Sequence, residues 1–114
     1  LNISLPSAIM TRAIITITEG KTAALQDLGI ADVNNGLPAT GTGTDGITLI
    51  TNPDAPRYTD AGTFSVLGSL LASAAYETVR ECLELYDKPW NRDDSLATPP
   101  AVDLSRLRNK ECGH

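Results

Sequence analysis

The residues best suited to chemistry lie in the run Thr40-Gly41-Thr42-Gly43-Thr44-Asp45-Gly46. Glycines at 41, 43 and 46 let a backbone approach a ligand closely and turn its N–H groups inward, while Thr40, Thr42 and Thr44 add hydroxyls that both donate and accept. Asp45 contributes a carboxylate, placed as a general base or a ligand-orienting acceptor would be. A loop of this kind can hold a phosphate, an oxyanion or an amide. It lacks the Gly-Lys-Ser/Thr of a P-loop, and it leads into a predicted strand rather than out of one, so it is not a dinucleotide fingerprint. The same residues also make a tight structural turn in which Asp45 caps its own backbone. Residue types alone weigh the two readings equally.

A second polar group, Thr18-Glu19-Gly20-Lys21-Thr22, interrupts an apolar periodic segment. On a helix Glu19 and Lys21 point about 200° apart, so they do not pair with each other and each needs another partner or solvent. Spacing by itself favours a solvated face. The single histidine, His114, is terminal, and Cys82 and Cys112 stand far apart. Neither a structural metal site nor a Ser/His/Asp triad can be assembled from them, although Ser65 and Ser69 lie one helical turn apart. Cys82 falls on an apolar helical face and is expected in the core.

These groups must be positioned by a chain of 114 residues, the size of one small domain, in which 41% of residues are hydrophobic and only 4% aromatic. Ala, Leu, Ile and Val must therefore build the core. Nine Lys and Arg against 14 Asp and Glu give a net charge of −5, with no basic run to neutralise a row of phosphates, which argues against nucleic acid as a partner. No apolar stretch approaches the roughly 18 residues of a membrane span, and the N-terminus lacks the features of a signal peptide. The expectation is a cytoplasmic protein without a membrane partner.

Apolar or small residues at Met10, Ala13, Ile14, Ile17, Gly20, Ala24 and Leu28 predict a helix, with Pro6 in its first turn and Gly29 as its stop. Within it, residues 13–18 are rich in β-branched side chains and alternate well enough to read as a strand. Residues 30–46 carry the turn formers Asn35-Gly36 and Pro38 and predict a loop with its own shape. Residues 47–51 read as a short strand ended by Pro53 and Pro56. Leu67, Leu70, Leu71, Ala74, Ala75, Val79, Cys82, Leu83 and Tyr86 then recur at helical spacing, with Thr59 or Asp60 as cap and Lys88-Pro89 as stop.

One strand cannot stand as a sheet. The predicted class is therefore α/β or α+β, two long helices packed on a small sheet that is incomplete without a missing N-terminal segment or a partner chain. Pairing with such a segment, or with a second copy as a homo-oligomer, is the expected association. Residues 1–88 are expected to form the domain and residues 89–114 a polar, loosely ordered tail.

Three stretches, in this order, resemble the adenosylcobinamide amidohydrolases, the CbiZ-type enzymes of cobamide salvage. They are Arg12-Ala13-Ile14-Ile15-Thr16-Ile17-Thr18-Glu19-Gly20-Lys21-Thr22-Ala23-Ala24-Leu25-Gln26-Asp27-Leu28-Gly29, then Ala39-Thr40-Gly41-Thr42-Gly43-Thr44-Asp45, then Gly62-Thr63-Phe64-Ser65-Val66-Leu67-Gly68 leading into the second helix. The resemblance covers residues 1–87 and corresponds to the C-terminal part of the family's domain, which implies a further N-terminal portion. It also implies helix for residues 8–28.

The activity implied is hydrolysis of the amide that joins the aminopropanol arm to the corrin ring, releasing adenosylcobyric acid. The corrinoid is then the substrate, and no cofactor or metal is implied. By the same comparison Thr40, Gly41, Thr42, Gly43 and Thr44 form the substrate-binding loop, with Glu19 and Lys21 facing it. Amide hydrolysis needs a base and donors for the oxyanion. Asp45 or Glu19 can supply the first; Lys21, the threonine hydroxyls and the Gly41 and Gly43 amides can supply the second. Two positions depart from the family pattern. Phe64 stands where histidine is common, which supports an alternative function as a non-catalytic module that binds a corrinoid or another anionic ligand. Gly20 stands where alanine is more frequent, and is expected to weaken the helix slightly.

Overall fold

The computed structural model describes residues 1–86. The predicted tail at 89–114 and the helix stop at Lys88-Pro89 lie outside the described residues. Two helices, α1 (Ser7–Asp27) and α2 (Val66–Tyr86), pack against each other and carry the long connection between them.

Helix α1 begins after Pro6, whose φ of −57° and ψ of 151° place it at the cap rather than in the first turn. Its carbonyl accepts the N–H groups of Ile9 and Met10, both at 2.9 Å. The stop at Gly29 is formed as the sequence predicts. Gly29 takes φ 66° and donates to the Gln26 carbonyl (3.0 Å), while the Ile30 N–H donates to the Leu25 carbonyl (3.0 Å). This Schellman arrangement satisfies carbonyls that the helix end would leave bare and reverses the chain. The β-branched run stays helical because its hydroxyls find partners that a helix provides. Thr18 Oγ1 donates to the Ile14 carbonyl (2.8 Å), and the fully buried Thr16 Oγ1 donates to the Ala61 carbonyl (2.6 Å).

The buried stripe of α1 is Ala13, Thr16, Gly20 and Ala24, small residues spaced by three and four. At Gly20 the helices come closer than any other residue permits. A methyl group there would lie 3.0 Å from both Cα and the carbonyl carbon of Ala72 on α2, and nearer still to the Ala72 carbonyl oxygen. Gly20 is thus a packing requirement, and the mild loss of helix propensity is its lesser effect. The remaining core joins Leu5, Ala61 and Leu71 to this contact, with Ile17, Leu49 and Leu67 packed around it.

Helix α2 is capped by Ser65, not by Thr59 or Asp60. The Ser65 hydroxyl accepts the Gly68 N–H (2.9 Å) and donates to the Gly62 carbonyl (2.7 Å). Asp60 instead accepts the Gly62 N–H (2.9 Å) and shapes the turn that delivers Ser65 to the cap position. The apolar spacing of α2 is wider than the strip that α1 covers: Leu71 is buried, whereas Leu70 and Cys82 are exposed, so Cys82 is not a core residue.

The helices-on-sheet prediction is overturned: among the described residues there are two helices and no strand, and the fold is all-helical. Only isolated bridges occur, Ser4 with Arg57 and Ala31 with Pro38. Residues 47–51 have the apolar alternation of a strand, but their backbone partners come only at the end of the run. The Leu1 nitrogen donates to the Ile50 carbonyl (2.7 Å) and the Asn52 N–H to the Ile3 carbonyl (2.9 Å). Pro53 and Pro56 then remove the donors that would extend the ladder. With no sheet to complete, a shortage of strands no longer argues for a missing segment. Neither helix is long and apolar enough to cross a membrane.

Candidate active site

Reversal of the chain at Gly29 lays the connection back along α1 and opens a cleft of about 830 Å³ between them. One wall is the α1 stripe Ile14, Thr18 and Lys21, spaced by four and three so that all three face the same way. The opposite side comes from residues 30–34 and from the glycine–threonine loop.

The residues 30–39 hold their own shape. Asp32 N–H donates to the Leu37 carbonyl (2.7 Å), Gly36 at φ 73° donates to the Asp32 carbonyl (2.8 Å), and Ala39 N–H donates to the Ile30 carbonyl (2.8 Å). Two short side chains complete the turn: Asp32 Oδ1 accepts the Asn34 N–H and Asn35 Oδ1 accepts the Leu37 N–H, each at 2.8 Å.

Asp45 organises the second half. Its Oδ2 accepts the Thr42 N–H (2.7 Å) and its Oδ1 accepts the Thr42 hydroxyl (2.8 Å), which closes the loop into a tight turn. The same Oδ2 lies 2.6 Å from Lys21 Nζ. Next along α1, the Thr22 hydroxyl donates to the Thr40 carbonyl at 2.8 Å. Two consecutive helix residues therefore clamp the loop at two points. The hydrogen bond from Lys21, aided by those from the Thr42 backbone and hydroxyl, lowers the Asp45 pKa to about 2 from its ordinary 3.8.

At one position of this loop a side chain would disturb the ion pair. A methyl group on Gly41 would press into the Asp45 carboxylate and sit 3.4 Å from Lys21 Nζ, so the ion pair forms over bare backbone. Gly43 and Gly46 face open space, and neither has positive φ.

The structure brings together most, not all, of the residues singled out from the sequence. Lys21, Thr40, Gly41, Thr42, Gly43 and Asp45 line the cleft; Thr44 and Glu19 do not. Glu19 is exposed, as its 200° offset from Lys21 requires once Lys21 faces the cleft. Phe64 is fully exposed in the turn that precedes α2 and is likewise no part of the cleft wall. Among the ionisable lining groups, the sequence does not single out Asp32, whose neighbours Asn34-Asn35-Gly36 mark only a turn. Neither spacing nor composition signals that this turn faces Lys21.

The arrangement offers chemistry of a definite kind. A charged ammonium is aimed into a cleft beside threonine hydroxyls, and a carboxylate fixes both the ammonium and the loop. Such a group of donors suits an oxygen that gains negative charge during reaction.

The family model described as adenosylcobinamide amidohydrolase (CbiZ) matches residues 1–90. The uncharacterized protein MJ1613 of Methanocaldococcus jannaschii is 42% identical over 89 residues, which cover 76% of this chain and 34% of that protein. The chain thus spans about a third of the length of this curated relative. No solved structure matches.

Proposed function

The chain belongs to the adenosylcobinamide amidohydrolase family, and from that premise we propose that its Lys21 cleft is where the aminopropanol amide of adenosylcobinamide is hydrolysed to adenosylcobyric acid. The observation that carries the proposal is the Lys21–Asp45 pair set into the glycine–threonine loop.

Hydrolysis transfers the OH of water to the amide carbonyl carbon, which places negative charge on its oxygen, and then breaks the C–N bond as the proton taken from the water passes to the departing nitrogen. Lys21 is the donor to that oxygen, with the Thr42 and Thr40 hydroxyls orienting the amide. In the resting cleft Asp45 is a poor base, because a carboxylate with a pKa of about 2 holds a proton weakly. Its first part is to hold Lys21 in place. When Lys21 turns to the substrate oxygen, Asp45 loses the partner that lowers its pKa most, and its basicity rises as water must be deprotonated. Glu19, exposed and outside the cleft, has no role in this scheme.

A second reading, a corrinoid-binding module without turnover, is favoured by the same pair if it never opens. The two are separated by incubating purified protein with adenosylcobinamide, following adenosylcobyric acid by mass spectrometry and binding by corrinoid absorbance. Product formation supports the amidohydrolase; an absorbance change without product supports the binding module; neither signal rejects both.

A further inference from the structure

The cleft is lined by three ionisable side chains among the described residues, Lys21, Asp32 and Asp45. Lys21 and Asp45 are paired and cancel. Asp32 is in a different position. It is half-buried on the 30–34 wall, its Oδ1 accepts the Asn34 N–H, and it forms no ion pair among the described residues. In the resting cleft Lys21 offsets Asp45, and the carboxylate left without an ion-pair partner among the described residues is Asp32.

Cleaving an amide changes the charge at the broken bond. Water supplies OH to the carbonyl carbon and H to the departing nitrogen. At neutral pH the acid then gives its proton to the amine, so a neutral amide becomes a carboxylate and an ammonium. A fixed carboxylate in the cleft treats these species differently: it is indifferent to the amide, attracts the ammonium and repels the carboxylate.

We propose that Asp32 is the charge-selecting residue of this cleft, admitting the neutral amide of the substrate while disfavouring the carboxylate that hydrolysis leaves on the corrinoid. The proposal rests on the amidohydrolase reading and adds a residue and a role to it. Asp32 is a specificity residue here and takes no proton in the reaction.

Asp32→Asn isolates the charge, because the asparagine side-chain carbonyl accepts the same Asn34 N–H and keeps the turn. Asp32→Ser, which also caps such a turn, is the second variant. For each protein the inhibition constant for adenosylcobyric acid is measured and divided by KM for adenosylcobinamide. Both substitutions are expected to lower that ratio about fivefold, the size of one charge interaction across a solvent-open site. The difference should shrink as salt is raised from about 0.05 M to about 1 M, which a merely structural role for Asp32 would not produce. An unchanged ratio, or a change insensitive to salt, overturns the proposal. Should the wild type release no product, the amidohydrolase reading fails on that result alone, and charge selection is read from equilibrium affinities for the same two corrinoids. A tighter carboxylate complex in Asp32→Asn than in wild type then supports it. Equal affinities, or binding of neither compound, overturn it.

Discussion

The contact between α1 and α2 and the loop clamped to α1 are held by opposite means. Between the helices, Gly20 lets backbone meet backbone, and around it lie small buried side chains with no charge. Between helix and loop, one ion pair and one hydroxyl hydrogen bond make the contact beside a solvent-open cleft. The first kind of contact fixes where the helices are and tolerates no added atom. The second fixes which way a few polar groups point, and its energy depends on pH and salt. Stability should therefore reside in the first region and chemistry in the second, and each can be disturbed with little effect on the other.

The sharpest separation comes from Lys21→Met. It removes the ammonium and keeps an apolar stem of similar length, so kcat/KM for the corrinoid amide should fall by about a hundredfold or more, the usual loss for an oxyanion donor. Its melting temperature should stay close to that of the wild type, since a single ion pair that solvent still reaches adds little stability. A large drop in melting temperature with activity intact would reverse the assignment of the two regions.

Gly20→Ala makes the complementary test. The added methyl meets the Ala72 backbone, which has no flexible side chain to move aside, so overpacking should cost about 1–3 kcal/mol, offset in part by alanine's better helix propensity. Denaturant melts should show a lower midpoint, while turnover per folded molecule stays near the wild-type value. If the midpoint rises instead, the helices can move apart freely.

The smallest effect is the titration of Asp45. Its folded pKa of about 2 lies below the ordinary 3.8, so an unfolded chain takes up the proton first as pH falls. Whatever stability the carboxylate confers is complete above about pH 4 and is lost as pH drops toward 2. Carbon-13 NMR of the Asp45 carboxyl should report this midpoint. In Lys21→Met it should move up toward the ordinary value, because the largest cause of the shift is gone. A midpoint that stays put would mean that Thr42 alone holds the carboxylate.

Much of this organisation was legible in particular residues. Gly29 announced the end of α1 because only a residue at ease with positive φ closes that helix, and the apolar spacing located both helices. The strand at 47–51 was misread because alternation records which residues prefer to be covered, not whether a neighbouring strand exists to pair with them. The cap on α2 was misplaced because Ser65 reaches that position only through the turn that Asp60 and Gly62 build before it. Cys82 was assigned to a core that α1 does not extend far enough to make. Of the site, the glycine–threonine loop was visible from residue types alone, and its competing structural reading survives beside the functional one, since Asp45 does cap its own turn. Asp32 could not be found, because a turn aspartate looks the same whether it faces solvent or a cleft.

Lys21 and Thr22 are adjacent in sequence, and each makes one of the two clamps on the loop. Their aim is a matter of helical phase. Inserting a single residue between Gly20 and Lys21 would leave Gly20 seated on Ala72 and the helix unbroken, yet would rotate both clamps about 100° around its axis and release the loop. A single-codon insertion or deletion at this point should accordingly damage the loop as much as losing Lys21 and Thr22 together.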